Sequence, residues 1–280
     1  MIENILPLSI NLHITKRCNM RCRACFAKYR GKGCGQGEWH RILDAIATET
    51  AGRYRVKVSF AGGEPTLVPW LPDLIRHAKD LSFITSIITN GGSLDERYLA
   101  SIRNYLDWVG ISVDSLRPDA NISLGRTIRG RPISAAEYLA AVRSVHESGL
   151  KLKINTVVSA LNQDEEFRDF IALAKPERWK VMQFLRVRGQ NWNTKRFEID
   201  PESFERFYSR HASVVCTIKE TSKAMLGSYI MIDPAGRPYG NVGHTVRYGR
   251  PVLLDGVLPQ LPDLGYDLEA TRRRGGFGFF

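Results

Sequence analysis

Apolar and polar residues follow two alternating rhythms along most of this chain. In segments such as 9–14 every second residue is apolar, which predicts a strand, whereas in segments such as 38–51 apolar residues recur every three or four positions, which predicts a helix. The pattern predicts strands at 9–14, 55–60, 83–89, 108–113, 150–158 and 180–187, and helices at 38–51, 70–80, 95–105, 135–148, 163–174 and 202–211. Strands that alternate with helices in this way predict an α/β protein with a parallel sheet.

The number of repeats sets the expected architecture. Eight strand–helix repeats close a full barrel, so six predict a partial (β/α)6 barrel, here over residues 1–190. The regularity then fades apart from a hairpin pattern that begins at Tyr229, and residues 191–280 are expected to form a C-terminal extension closing the active site. Because such sheets bind ligands at the C-terminal ends of their strands, chemical motifs are expected directly after strands.

Composition narrows the class of protein. The chain has 280 residues, of which 43% are hydrophobic and 25% charged, as is typical of a soluble globular protein. It has no apolar run of about 18 residues and no signal-peptide pattern, so neither a membrane span nor secretion is expected. A net charge of +11 indicates an anionic partner, which on composition alone is a nucleic acid, an acidic membrane surface or a phosphorylated small molecule.

Three of the five cysteines, Cys18, Cys22 and Cys25, lie together directly after the first predicted strand. An odd number of cysteines without a signal peptide favours metal binding over disulfides. One interpretation is a structural zinc site with Cys34 or His40 as its fourth ligand. The other is a [4Fe–4S] cluster with three cysteine ligands, in which one iron is free to bind a substrate.

A second motif, Ala61-Gly62-Gly63-Glu64-Pro65, follows the second predicted strand. Glycines allow a backbone to approach a ligand closely, and a carboxylate beside them can hold an ammonium group. The alternative interpretation is an ordinary turn between a strand and a helix.

Several basic residues occupy strand positions that share a face. Residues two apart on a strand point the same way, and such pairs are Lys57 with Ser59, Lys153 with Asn155, and Arg178 with Lys180. Buried cations are costly unless they meet opposite charge, and the nearby strands offer few acids apart from Glu64 and Asp114. For the set together this shortage favours an anionic ligand such as a phosphate inside the barrel, although a solvated edge is the better interpretation of any single lysine.

The CxxxCxxC motif at 18–25 and the Gly-Gly-Glu motif at 62–64 resemble the radical S-adenosylmethionine (SAM) superfamily, in which a [4Fe–4S] cluster cleaves SAM to a 5′-deoxyadenosyl radical. One departure is Ala24, since the family often has an aromatic residue before the third cysteine. From about residue 9 to residue 276 the chain resembles the viperin-like enzymes of that superfamily. The matching segments are 11–25, 60–65, 111–115, 124–126, 153–157, 178–184, 204–207, 228–233 and 274–276.

This resemblance implies a specific reaction. Viperin-like enzymes convert CTP, UTP or GTP to the 3′-deoxy-3′,4′-didehydro analogue, a chain-terminating nucleotide of antiviral defence. The radical removes the hydrogen from ribose C4′, and the 3′-hydroxyl leaves as water after one further electron and a proton. CTP or UTP is the expected substrate here.

The resemblance also implies roles for individual residues. The cluster would be bound by Cys18, Cys22 and Cys25. SAM would be bound by Gly62, Gly63, Glu64, Asn90, Ser112 and Arg126. The triphosphate would be bound by Asn11, Lys57, Lys153, Arg178, Lys180 and Arg274. Tyr229 matches a tyrosine proposed to serve the radical-reduction step, and a half-buried structural tyrosine is the competing interpretation.

The remaining expectations concern the tail and the partners. A radical enzyme needs a lid, and the glycine-rich tail Arg272–Phe280 is the expected one, while Cys34 and Cys216 are expected to be structural. The segment resembling viperin lacks an amphipathic membrane-binding helix, so a cytoplasmic protein is expected. We expect a monomer that binds no nucleic acid or membrane and receives electrons from an external donor such as a flavodoxin or a ferredoxin.

Two other functions fit parts of the sequence. One is a radical SAM enzyme that modifies a peptide or RNA, although such peptide enzymes usually carry further cysteine clusters and only Cys216 lies beyond Cys34. The other is a zinc-stabilised module that binds nucleic acid.

Overall fold

The computed structural model describes residues 5–279, which build one large sheet flanked by helices. The strands are β1 Leu6–Thr15, β2 Tyr54–Gly62, β3 Ile84–Thr89, β4 Trp108–Ser112, β5 Thr127–Ile128, β6 Arg131–Pro132, β7 Lys151–Val158, β8 Arg178–Gln183, β9 Thr217–Glu220, β10 Ile230–Ile232, β11 Pro238–Val242 and β12 Thr245–Tyr248. Ten of them form the sheet in the order β12-β11-β10-β1-β2-β3-β4-β7-β8-β9, and β5 pairs with β6 in a separate hairpin.

Within residues 5–279, ten α-helices connect or flank these strands. They are α1 Gln36–Thr50, α2 Leu71–Asp80, α3 Glu96–Ile102, α4 Pro118–Leu124, α5 Ala135–Glu147, α6 Arg168–Ala174, α7 Pro201–Arg210, α8 Ser222–Met225, α9 Val252–Asp255 and α10 Leu268–Arg273. Short 3₁₀ turns lie at Pro65–Leu67, Lys195–Phe197 and Leu258–Gln260. No helix within residues 5–279 is long and apolar enough to cross a membrane.

The six predicted strands are present and parallel, which confirms the α/β fold class. β1, β2, β3, β4, β7 and β8 pair in parallel in that order, and the sheet ends at β12 and β9 without closing on itself. The sheet is therefore an open, partial barrel. Residues 191–280 add strands at both edges, because β9 pairs with β8 and β10 pairs with β1.

The two faces of the sheet differ sharply in polarity. On the outer face, residues such as Ile10, Val58 and Ile154 are fully buried. They pack in one core with apolar helix residues, which include Trp39, Leu74 and Val145. Parallel strands covered on both faces are usually apolar throughout, so the polar alternate positions mark an inner face that is not part of this core. The alternation of apolar and polar residues in the sequence therefore indicates that polar side chains, suited to a polar ligand, line the inner face of the sheet.

Three local predictions are wrong. The last predicted strand was placed at 180–187, but β8 begins at Arg178 and ends at Gln183, because the Val187 amide is bonded to the Asn191 side chain in a loop. The helix predicted at 163–174 begins only at Arg168, since Glu165 turns away to accept bonds from residues 115–117. The sequence pattern also missed β9, whose four residues are too short for a periodic signal.

Candidate functional site

The strand register brings the predicted binding residues onto the inner face. Lys153 is paired with Gly110 on one side and with Arg178 on the other, and Asn155 is paired with Ser112 and Lys180. Residues paired across neighbouring strands project to the same side of a sheet. On the other half of the sheet, Asn11 is paired with Ser59, two residues from Lys57. The predicted residues from five strands therefore line one surface.

Five basic side chains form the centre of this surface, and we call them the cation cluster: Lys57, Lys153, Arg178, Lys180 and Arg274. Each is at most 9% exposed, and the Lys57 side chain is almost fully enclosed, with its Nζ donating to Ser59 Oγ at 2.7 Å. Asn155, which lies beside Lys153, keeps a buried Oδ1 without a hydrogen-bond partner. Buried polar atoms are normally satisfied, so this atom indicates a place for a polar ligand.

Burial and mutual repulsion make these lysines weak bases. Burial, together with nearby Lys180, Arg178 and Arg274, lowers the pKa of Lys57 to about 7. Burial also lowers the pKa of Lys180 to about 8 and that of Lys153 well below its usual range. Cations gathered at this cost are typical of a site that binds an anion.

Gly110 makes room for this cluster. A Cβ at this position would lie 2.9 Å from Lys153 Cε and 3.4 Å from Asn155 Nδ2. Because Gly110 has no side chain, it leaves space on β4 for the Lys153 side chain of the neighbouring strand β7. The sequence contains Trp108-Val109-Gly110-Ile111, in which a glycine inside a strand indicates a close approach of this kind.

The prediction that few acids meet these cations missed Glu220. This fully buried carboxylate on β9 pairs with Lys180 Nζ at 2.7 Å and with Arg274 Nη1 at 3.0 Å. Burial opposes its ionisation, but the two cations hold the pKa of Glu220 below its usual value. Among residues 5–279, Glu220 is the one carboxylate within ion-pair distance of the cluster, so most of the cluster's charge remains unbalanced. Because β9 was not predicted, its acid could not be placed.

Tyr229 lies at the centre of this charged network. Its hydroxyl donates to Glu220 and accepts a bond from Lys180 Nζ at 2.8 Å. The Arg274 guanidinium packs over the Tyr229 ring, 3.7 Å from the ring centroid. Burial raises the pKa of the Tyr229 phenol well above its usual range, so the phenol is neutral in the free protein. This tyrosine thus has a proton acceptor and a proton donor in direct contact.

The tail lies at the N-terminal edge of the inner face. The ring of Phe279 stands over Lys57 at 4.2 Å, over Arg178 at 4.5 Å and over Lys153 at 5.2 Å, and its edge contacts Trp108. Arg178 Nη2 also donates to the Gly275 carbonyl at 2.8 Å. The predicted lid therefore covers the cation cluster, at the opposite end of the strands from the cysteines. The last residue of the predicted lid, Phe280, lies outside the described residues.

The cysteines lie at the C-terminal end of β1 in a segment we call the cysteine loop, residues 16–35. Cys18, Cys22 and Cys25 are all free thiols, and each lies close enough to another of the three to influence its ionisation. Burial raises the pKa of Cys22 to about 11 and raises the pKa of the other two. Within residues 5–279 no three His, Cys, Asp or Glu side chains are grouped to hold a single metal ion.

The Gly-Gly-Glu motif holds the cysteine loop against β2. Gly63 N donates to the Thr15 carbonyl at 2.7 Å, and Glu64 N donates to the Arg17 carbonyl at 2.8 Å. A Cβ on Gly62 would lie 2.4 Å from Thr15 O, and one on Gly63 would lie 2.1 Å from Arg17 O. The two glycines therefore allow close contact with the loop that carries the cysteines, rather than with a ligand alone.

The Glu64 carboxylate is already bonded within the protein. It accepts bonds from Thr66, from Thr89 Oγ1 at 2.6 Å and from the Asn90 amide at 2.8 Å. Burial nevertheless raises its pKa above the usual value. The Asn90 side chain in turn donates to Asn19 of the cysteine loop at 2.7 Å. Glu64 and Asn90 thus link the ends of β2 and β3 to this loop.

Arg126 lies near the cysteine loop and bonds to residues at the end of β4. Its Nη1 pairs with Asp114 at 2.8 Å and its Nη2 donates to the Ser112 carbonyl at 2.6 Å, while Nε is buried without a partner. Burial disfavours its charge, but Asp114, Tyr138 and Cys22 together outweigh that effect and raise the pKa of Arg126. The positive charge of Arg126 also lowers the pKa of each of the three thiols against the effect of burial.

These residues fit a thiolate-bound cluster with an amino-acid ligand beside it. Three free thiols next to a permanent cation can supply soft thiolate donors. The unpartnered Arg126 Nε can donate to a carboxylate, and Glu64 lies within the same set of linked strand ends. Cys34 and Cys216 stand outside this group and pack partly against the core, as Cys18 and Cys22 also do.

Sequence reasoning missed an aromatic wall beside the cysteine loop. Buried His13 meets Phe26 at 5.9 Å, Tyr29 at 5.3 Å and Tyr239 at 5.8 Å, measured between ring centroids. Burial lowers the pKa of His13 to about 3, so the imidazole is neutral. These residues are far apart in the chain, and no local signal could have brought Tyr239 to the loop.

The chain is similar to known proteins in both sequence and fold. Residues 12–174 match the radical SAM superfamily. Native anSMEcpe, solved with bound AdoMet and Cp18Cys peptide, superposes with a TM-score of 0.69 at 16% identity, over 96% of this chain and 82% of that one. At this level of identity the likeness concerns the fold.

Two curated relatives are closer in sequence, and both are named S-adenosylmethionine-dependent nucleotide dehydratase. The protein from Lacinutrix mariniflava is 40% identical over 96% of this chain, which spans 58% of that relative's length. The protein from Flammeovirga pacifica is 37% identical over 98% of this chain and 96% of its own. The resemblance seen in the motifs is thereby confirmed. The chain belongs to the radical SAM superfamily and, within it, to the family of S-adenosylmethionine-dependent nucleotide dehydratases.

Proposed function

We propose that this protein dehydrates a ribonucleoside triphosphate to its 3′-deoxy-3′,4′-didehydro analogue. The observation that carries the proposal is the cation cluster, which places five basic side chains on the inner face with one carboxylate among them. Relatives of nearly the same length bear the name nucleotide dehydratase, which supports this choice of substrate class. We expect the base to be cytosine or uracil.

The cofactors would be held at the C-terminal ends of the strands. Cys18, Cys22 and Cys25 would bind the [4Fe–4S] cluster, and SAM would contact Gly62, Gly63, Glu64, Asn90, Ser112 and Arg126. When bound, this pair supplies the radical that removes a hydrogen atom from ribose C4′. In the free protein Glu64 accepts three bonds at Oε1 and one at Oε2, so the backbone carbonyls of the two glycines would share in holding the SAM ammonium group.

The cation cluster would anchor the triphosphate away from the reacting carbon. Charge-assisted hydrogen bonds from several cations fix both the position and the orientation of an anion. Lys57, Lys153 and Arg178 have no carboxylate partner within residues 5–279, so their donors are available to phosphate oxygens once the Phe279 ring moves. Arg274 and Lys180 would share theirs with Glu220, and Asn11 would bind from β1.

Tyr229 would relay the electron that completes the reaction. After the 3′-hydroxyl takes up a proton from solvent and departs as water, one electron from Tyr229 would neutralise the substrate, and the phenol proton would pass to the Glu220 carboxylate that already accepts its hydrogen bond. The external one-electron donor would then reduce the tyrosyl radical, which takes its proton back from Glu220. Lys180, bonded to both Tyr229 and Glu220, would hold the two side chains in position relative to each other.

The test is an anaerobic assay of the reconstituted protein. We expect a brown protein with broad visible absorption which, with SAM and dithionite, forms 5′-deoxyadenosine faster when one of the four ribonucleoside triphosphates is added. A colourless protein holding one zinc would contradict the cofactor assignment. Stimulation by none of the four nucleotides would overturn the proposed substrate and favour a peptide or RNA substrate.

The cellular partners follow from the same chemistry. We propose an external one-electron donor, a flavodoxin or a ferredoxin, because the reaction consumes electrons that the chain itself does not supply. A reducing compartment such as the cytoplasm is proposed because all five thiols are free.

A further inference from the structure

The cysteine loop carries an unusual density of positive charge. Residues 16–32 contain seven lysines and arginines, and no acidic residue occurs between Glu3 and Glu38. All seven side chains are exposed. We call these seven residues the basic loop surface.

These cations lack the ion pairs that surface cations elsewhere in the protein make. Arg131 pairs with Glu137 and Arg168 pairs with Glu166, each at 2.8 Å. Within residues 5–279, none of the seven has a carboxylate within 4.0 Å, and three of them bond only to loop carbonyls. The positive charge of the basic loop surface is therefore not balanced by carboxylates and faces solvent.

The neighbouring segment 188–192 extends this surface and adds an exposed aromatic side chain. Lys28 N donates to Gln190 at 3.1 Å, and Asn191 Nδ2 donates to the Ala24 carbonyl at 3.1 Å. In this segment Trp192 is 36% exposed, with the guanidinium of Arg188 4.7 Å from its ring centroid. Phe26, which directly follows Cys25, is 43% exposed. Exposed aromatic side chains with cations around them are typical of protein docking surfaces.

We propose that the basic loop surface, with Phe26 and Trp192, is the docking site for an acidic one-electron donor protein. This inference rests on the proposed function, which requires electrons from outside. In the complex one electron passes from the reduced flavin or iron–sulfur group of the donor to the cluster held by the cysteines, so the donor is oxidised and the cluster reduced by one electron each.

The position of the charge favours this partner over a nucleic acid. The seven cations lie on the same 17 residues as the three cysteines, so a protein bound there brings its own redox group next to the cluster. The substrate cations, by contrast, lie on the inner face and are buried. Exposed cations steer an acidic partner over a distance, and such steering weakens as salt screens the charges.

The test compares two reductants in a charge-reversed variant. Arg30 and Lys32 are both exposed and follow the last proposed cluster ligand, Cys25, so Arg30→Glu with Lys32→Glu changes the field without changing a proposed cluster ligand. The matched control is Arg97→Glu with Arg143→Glu, which reverses two exposed charges on helices α3 and α5. The readout is the rate at which the visible absorption of the reconstituted cluster bleaches at low salt, with reduced flavodoxin or with dithionite.

We expect the loop variant to be reduced by flavodoxin about tenfold more slowly than the wild type, with the difference shrinking at high salt. Reduction by dithionite at high salt, where the charge of this small anion is screened, should be unchanged, as should all rates of the control variant. Equal rates in the loop variant and the wild type would overturn the proposal. So would an equal loss in the control, or a loss with both reductants, which would show that the loop shapes the cluster itself.

Further outcomes separate this inference from the proposed function. Bleaching needs no nucleotide, so the docking test keeps its meaning even if no triphosphate stimulates turnover. If the loop variant loses affinity for a single-stranded RNA probe but not its rate of reduction by flavodoxin, the surface binds nucleic acid and the docking proposal is wrong.

Discussion

The protein carries two groups of positive charge with few or no carboxylate partners among residues 5–279, and the groups differ in their contact with water. The cation cluster is buried on the inner face, while the basic loop surface is exposed around the cysteines. Burial lowers the pKa of Lys57 and Lys180 towards neutral pH, so each of these charges costs stability until an anion joins it. Exposed charges carry no such cost and act mainly over a distance.

The comparison teaches that net charge alone does not indicate a partner. Both groups contribute to the same +11, yet the buried group can form direct, oriented bonds to one small anion, whereas the exposed group can only attract. If this distinction holds, substitutions in the two groups should affect different measurements.

The largest expected effect is on nucleotide binding. Lys180→Ala removes a buried charged donor, whose loss typically costs about 2–3 kcal/mol, so triphosphate affinity should fall about 100-fold while the iron content stays unchanged. Lys32→Ala, the matched change on the exposed loop, should leave that affinity unaltered. Calorimetric titration measures both. Unchanged affinity in the Lys180 variant would show that the phosphates bind elsewhere.

The second expected effect is a dependence of triphosphate affinity on pH, which the basic loop surface cannot produce. In the free protein Lys57 has a pKa of about 7 and Lys180 of about 8, so both are increasingly neutral above pH 8. A bound phosphate favours the charged form, and binding must therefore take up protons. Between pH 7.5 and 9 affinity should fall about tenfold per pH unit for each lysine that titrates.

Calorimetry in two buffers of different ionisation enthalpy measures this proton uptake directly. A Lys57→Met variant should take up fewer protons than the wild type, because one titrating amine is gone. Affinity that is flat with pH, or a release of protons on binding, would contradict the picture of uncharged lysines that become charged on binding.

The smallest expected effect concerns the tail. The ring of Phe279 occupies the space between Lys57, Lys153 and Arg178, where the phosphates would lie. Cation–π contacts are worth about 0.5–2 kcal/mol, so Phe279→Ala should tighten triphosphate binding severalfold. Leu173→Ala, which truncates an exposed apolar side chain on α6, should not change it. Weaker binding in the Phe279 variant would instead mean that the tail closes over the bound nucleotide.

The sequence predicted those parts of the fold that repeat and those parts of the site that carry motifs. Six strands and the shared faces of Lys153 with Asn155 and of Arg178 with Lys180 follow from a period of two. Glu220 could not be placed, because a four-residue strand has no readable period and its partner Arg274 comes 54 residues later. Likewise, nothing local predicts that Phe279 reaches the cation cluster, since this contact depends on the path of the whole extension.

The central claim is that the buried cations hold the triphosphate of a nucleotide that loses water. The most direct measurement compares a ribonucleoside triphosphate with its unphosphorylated nucleoside, each incubated with the reconstituted protein, SAM and dithionite. We predict that the triphosphate stimulates 5′-deoxyadenosine formation and yields a nucleotide lighter by one water, and that the nucleoside does neither. Equal stimulation by the nucleoside, or a product that has not lost water, would contradict the account.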